Sequence, residues 1–171
     1  MDRGATMTGR GLVPRILRTW RAPGVAVRGM TGLSEGGLLA LLLGTMAVYF
    51  VSQWPAHARA AALDPSVPLQ ARLGGALLAT MFLMPLIVMA AAAVVRLPIR
   101  ALGGRIGGFQ SRLALVWALA AAAPLMLLQG LVLGFIGPGP AAALVNWLAF
   151  AAFLVFWIAG LRALIRERHP A

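Results

Sequence analysis

The sequence predicts an all-α fold: a polytopic membrane bundle of four transmembrane helices, preceded by a short N-terminal amphipathic helix at the interface. Three observations carry this. Four apolar runs are each long enough to cross a bilayer, which takes about 20 residues at roughly 1.5 Å rise per residue. The 171-residue chain is 61% hydrophobic and 11% charged, whereas a soluble domain carries roughly 25% charged residues. Its charge is also one-sided, with 15 basic against 4 acidic residues and a net +11. So few charges cannot coat a globule in water, and so apolar a chain is not disordered.

The elements follow in order. Residues 1–35 form a basic segment. Within it, Val13, Ile16, Leu17 and Trp20 fall on one helical face and Arg15, Arg18 and Arg21 on the other. Pro14 stands at the first helical position, and Pro23 is expected to stop the helix. This reads as a helix lying in the interface, each arginine near anionic lipid contributing about 1 kcal/mol. Residues 36–161 hold the spans, expected at Gly36–Trp54, Leu73–Val95, Leu113–Ile136 and Ala141–Leu161, none containing Asp, Glu, Arg, Lys or His. Ala56-His57-Ala58 looks like a signal-peptidase site, but about 35 residues precede the first run, too many for a signal n-region, so that run is read as retained. Residues 162–171 are a short tail.

Arginine placement sets the orientation. With four spans, both termini and the middle loop share a side, and that side carries 13 of the 15 arginines. Both termini are therefore expected in the cytoplasm. An alanine-rich chain whose basic residues are all arginine also suits GC-rich bacterial coding, which points to a bacterial inner membrane. Tyr49, Trp54, Trp117, Trp147 and Trp157 fall near the expected span ends, where amphipathic rings prefer headgroup level. The third and fourth spans, joined by Gly137-Pro138-Gly139-Pro140 alone, must be antiparallel neighbours. Pro85 and Pro124 interrupt the second and third spans; packing of a bent bundle is the simpler reading, a hinge or pore-lining kink the alternative.

Chemistry is sparse. With no cysteine there is no disulfide, thiol nucleophile or cysteine metal site. With no lysine there is no Walker A motif and no Schiff base. Asp2, Glu35, Asp64 and Glu167 lie in tails, loops or span ends, and His57 and His169 fall on opposite sides of the membrane. No acid–base pair, metal site or cofactor is expected, and the chain is read as a non-enzyme. Met81, Met84 and Met89 are read as core packing rather than a copper site.

The polar groups at membrane depth are counted as Thr45, Thr80, Gln129 and Asn146. Gln129 and Asn146 lie on adjacent helices at comparable depth, and a hydrogen bond between them is worth about 0.6–2 kcal/mol. Gly130 and Gly134 form a GxxxG, a close-approach face for another helix, so oligomerisation stays open. The middle loop, Arg96 to Arg112, combines four arginines with Gly103-Gly104 and Gly107-Gly108; it reads as a topology-holding, lipid-touching loop rather than a phosphate loop. Candidate lipid or partner contacts are Arg15, Arg18, Trp20, Arg21, Arg28 and Arg105, and candidate packing residues are Gln129, Gly130, Gly134 and Asn146. The expected partners are anionic headgroups and other membrane subunits; the positive charge implies no nucleic acid.

The stretches Arg112 to Leu119, Ala123 to Leu131 and Gly134 to Pro140, with Trp20-Arg21-Ala22-Pro23 and Val27-Arg28 upstream, resemble small alphaproteobacterial members of the Yip family. That family is named for membrane proteins that interact with Ypt/Rab GTPases. Its usual form has more spans than the four counted here. Family members elsewhere act in membrane traffic and membrane shaping; for the bacterial form the resemblance implies only a multi-pass membrane protein of undefined role, without catalytic residues. The expected function is a scaffold, membrane-organising protein or accessory subunit of an inner-membrane complex; the alternative is a small transporter or channel lined by Gln129, Asn146 and the proline kinks.

Overall fold

The computed structural model describes residues 16, 19, 20, 23–101 and 106–166, and every regular element among them is helical. They are α1 (Pro23–Arg28), α2 (Glu35–Leu63), α3 (Leu69–Leu78), a π-helical turn (Ala79–Leu83), α4 (Met84–Ala101), α5 (Gly108–Phe135) and α6 (Pro140–Arg166). α3, the π turn and α4 run on as one rod. Among the described residues, four helices are thus long and apolar enough to cross a membrane.

The helices outrun the expected spans. α2 begins where Ser34 Oγ accepts the Gly37 N–H at 3.1 Å, with Glu35 in the first turn favouring the positive helix end. It continues past Trp54 and through Pro55 to Leu63. Hydropathy drops there because of His57 and Arg59, but Ala56, Ala58 and residues 60–62 are alanines, the best helix formers. The turn after it is closed by Asp64, whose carboxylate accepts from Ser66 N and Oγ and pairs with Arg72 at 3.3 Å.

Pro85 explains the π turn. Its ring would collide with the Met81 carbonyl four residues back, and it has no N–H to give. The backbone widens by one residue instead, so that the Met84 N–H donates to the Ala79 carbonyl. α4 then passes Val95, carrying Arg96 and Pro98 within the helix. Both ends of the expected loop from Arg96 to Arg112 are helical: α4 runs to Ala101, and α5 starts at Gly108, whose preceding residue is extended and gives its N–H to Gln110 Oε1 at 3.0 Å.

α5 is the central helix, its buried residues falling between Ser111 and Ala123 and at Gly130. α2 and α6 flank it, and α4 closes on its N-terminal half. Leu38, Leu42 and Met46 of α2, Val88 and Ala92 of α4, Leu113 to Trp117 of α5 and Leu164 of α6 form one core. Trp117 is fully buried rather than at headgroup level, because α5 starts earlier than its apolar run and leaves the indole about 13 Å from the helix end. Tyr49 is likewise inside the bundle, its hydroxyl donating to the Leu119 carbonyl at 2.9 Å. Trp54 and Trp147 are exposed, and Trp157 is half-buried and stacked on Phe153.

The described residues of the N-terminal segment belong to this bundle. Pro23 opens α1, as its fixed φ and missing N–H suit a first helical position; the amphipathic helix expected upstream of it, over Val13 to Trp20, lies mostly outside the described residues. Val27 and Met30 join the core, and α1 lies on α6 with Val27 against Gly160. Upstream, Ile16 packs on the core, Thr19 is buried, and Trp20 meets Phe156 edge-on at 5.4 Å.

Candidate functional site

The packing residues come together, though on unexpected partners. Gly130 and Gly134 face α2 of the same chain: a methyl at Gly130 would overlap the Ser52 carbonyl oxygen, and one at Gly134 would overlap Pro55 Cβ. The GxxxG is therefore occupied by an intrachain contact. Gln129 Nε2 donates to Asn146 Oδ1 at 2.9 Å, tying α5 to α6, and Asn146 is exposed on the outer face. Two polar groups that the count of Thr45, Thr80, Gln129 and Asn146 left out also lie within the first span. Ser52 is buried, and Gln53 Nε2 donates to Thr80 Oγ1 at 3.0 Å, anchoring the π turn to α2. Met81 and Met89 pack against the core, while Met84 points outward.

At the end bearing the α2–α3 and α5–α6 turns, Arg59 serves α5. Its Nη1 donates to the Phe135 carbonyl at 3.4 Å, and its guanidinium lies against Gly137, whose φ of +94° turns the chain into α6. A cation there complements the negative end of the α5 dipole.

Of the lipid-contact candidates, Arg15, Arg18, Arg21 and Arg105 lie outside the described residues. Trp20 is half-exposed against Phe156, and Arg28 is exposed with its Nε on the Gly24 carbonyl at 3.3 Å.

The most developed site is at the opposite end, where the N-termini of α2 and α5 meet the C-terminal part of α4. Arg112 Nη2 pairs with Glu35 Oε1 at 2.6 Å, and Arg112 Nε donates to the Gly108 carbonyl at 3.3 Å. Arg96 reaches over from α4. Its Nη1 lies 3.1 Å from where a Gly108 side chain would begin, so only glycine leaves it full room. Arg96 Nε is buried without a hydrogen-bond partner. Ser111 fixes the two helices beside it, its hydroxyl donating to the Ala92 carbonyl at 2.8 Å. A cavity of about 350 Å³ lies between Arg96 and Arg112, lined also by Met89, Ala92, Ala93 and Gly108. A second, of about 280 Å³, shares Met89 and Arg112 and is lined by Glu35, Gly36, Leu38 and Leu39.

Arg96 and Arg112 were visible in the sequence only as loop charges, and Glu35 only as a span-end acid. Their convergence spans 77 positions between Glu35 and Arg112. The available signal was Glu35 itself, an acid directly before an apolar run at the basic end.

No protein family, curated protein or solved structure matches this chain.

Proposed function

We propose that this is a non-enzymatic integral membrane protein of a bacterial inner membrane, with both termini cytoplasmic, that organises or scaffolds other membrane components as an accessory subunit. The observation that carries the reading is the outer surface. Large apolar side chains such as Phe82, Leu86, Leu97, Leu144 and Trp147 stand exposed along the four long helices. Such continuous apolar area suits lipid and neighbouring helices rather than water. Asn146, exposed on that surface and bonded to Gln129, supplies a polar mark of the kind that draws helices together in lipid. The resemblance to the Yip family favours the same non-catalytic role.

The competing transporter or channel needs Gln129 and Asn146 to line a path. The exposure of Asn146 on the outer face, with Gln129 half-buried behind it, supports the scaffold instead. Purification in mild detergent tests the choice. Stoichiometric co-purification with a larger membrane complex, lost on Asn146→Leu while the chain stays folded, is the expected result. Solute or ion flux from the pure protein in liposomes, with no co-purifying subunit, would overturn it.

A further inference from the structure

The Arg96–Arg112 cavity holds an electrostatic imbalance. The first turn of α5 has no acidic residue, yet the Arg96 guanidinium lies against it. A cation at the positive end of a helix dipole is unfavourable unless an anion sits between them. Glu35 offsets Arg112, its ion-pair partner, but the lining is left with one net positive charge. Arg96 Nε is buried and unpartnered, as are Arg59 Nε and the Trp117 and Trp157 indole nitrogens, but of these four donors only Arg96 lines this cavity. The required ligand is an anion of about one charge whose oxygens can accept from two guanidinium groups, which describes a phosphodiester.

The second cavity says what the phosphodiester is attached to. It continues from Arg112 and Met89 onto Leu38 and Leu39, an apolar wall between α2 and α4. Along α4, Met89 lies seven residues from Arg96, or roughly 10 Å nearer the bundle centre. Arg96 and Arg112 themselves stand roughly 6–8 Å inside their helix ends. Charge therefore sits near the helix ends, with Leu38 and Leu39 beside it, roughly 4–6 Å inside the start of α2, and Met89 deeper in the bundle.

We propose that this pocket binds one anionic glycerophospholipid, its phosphodiester held by Arg96, Arg112 and the N-terminus of α5 and an acyl chain lying against Leu38, Leu39 and Met89. This rests on the membrane placement proposed above. Glu35 disfavours a second negative charge and so selects a monoanionic headgroup such as phosphatidylglycerol over a dianionic phosphomonoester.

The test uses the full chain, stripped of lipid in detergent and titrated with phosphatidylglycerol, phosphatidylcholine or inorganic phosphate, while native mass spectrometry counts bound molecules. One phosphatidylglycerol per chain is expected, with no stable phosphatidylcholine adduct and no competition from phosphate. R96Q and R112Q should each weaken retention by on the order of tenfold. R162Q, an exposed arginine outside the cavity, should not. G108A keeps every charge but crowds Arg96, and should weaken retention several-fold even if the arginine variants misfold. Equal retention by R96Q, R112Q and G108A overturns the site, and so does an equal loss in R162Q. Competition by free phosphate overturns the lipid assignment. Alkaline extraction of membranes reads insertion separately. A wild-type chain that washes out refutes the membrane placement and this site together, whereas an inserted chain that retains no phosphatidylglycerol refutes the site alone.

Discussion

Replacing Gly130 by alanine should pry α2 and α5 apart. The new methyl would overlap the Ser52 carbonyl oxygen, lie 2.7 Å from its carbon and 3.3 Å from its Cα. Ordinary carbon–carbon contact begins near 3.5 Å, so the helices must separate by about 1 Å. The obstacle is backbone in mid-helix, not the free end of a side chain, so local repacking cannot relieve it. Overpacking typically costs about 1–3 kcal/mol, and with Gly134 holding the same seam against Pro55 the cost belongs at the upper end, about 3 kcal/mol. Gly44→Ala and Gly75→Ala are the controls. Both glycines are helical with open space where a Cβ would sit, and each should gain up to about 1 kcal/mol of helix propensity. The assay is reversible unfolding of the detergent-solubilised protein, followed by far-UV circular dichroism with increasing dodecyl sulfate fraction. Gly130→Ala should unfold at a clearly lower fraction than wild type and the controls at an equal or higher one. If Gly130→Ala is as stable as wild type, the α2–α5 seam does not run along Ser52 and Pro55.

A reporter fused after Ala171 should read cytoplasmic, and one inserted in the turn between Asp64 and Leu69 should read periplasmic; a periplasmic C-terminus would overturn the four-span count. Tyr49→Phe removes the bond to the Leu119 carbonyl and should cost about 1 kcal/mol in the same unfolding assay, while Trp117→Ala, which empties the centre of the core, should cost about 3–5 kcal/mol. Asp64 titrates below its ordinary value of 3.8, chiefly because Ser66 donates two hydrogen bonds to its carboxylate, with Arg72 adding attraction. A depressed folded pKa gives stability that is present above the unfolded pKa and is lost as pH falls through the folded one. Stability of the α2–α3 turn, followed by proteolysis between Asp64 and Leu69, should therefore decline below about pH 4, and Asp64→Asn should flatten that decline.

What the sequence determined alone is local. Four runs without ionisable residues are enough to require four long apolar helices, since side-chain transfer free energy is read residue by residue. The four-residue link Gly137 to Pro140 is enough to make α5 and α6 neighbours. The depth of Gln129 and Asn146 followed from helix rise, and the bond between them is present at 2.9 Å. Helix ends were less legible, because hydropathy and backbone propensity are different quantities: the alanine stretch beyond Pro55 stays helical after it stops being apolar. That single difference moved Tyr49 from a span end into the bundle.

Tertiary structure alone decided which faces meet. A GxxxG states that some backbone approaches closely, and only the rotation of α2 about its own axis makes Ser52 and Pro55 the neighbours. The same holds for Val27, whose apolar side chain serves a lipid surface or a protein groove equally well until α5 and α6 supply the groove at Ala114 and Gly160. It holds most of all for Arg96, Arg112 and Glu35. Each is an ordinary helix-end charge in the sequence, and they form a pocket because packing brings two helix starts and one helix end to the same corner. Hydropathy follows where a chain leaves water one residue at a time, whereas such a corner depends on helix rotations set jointly by small residues far away, at Gly130, Gly134 and Gly160.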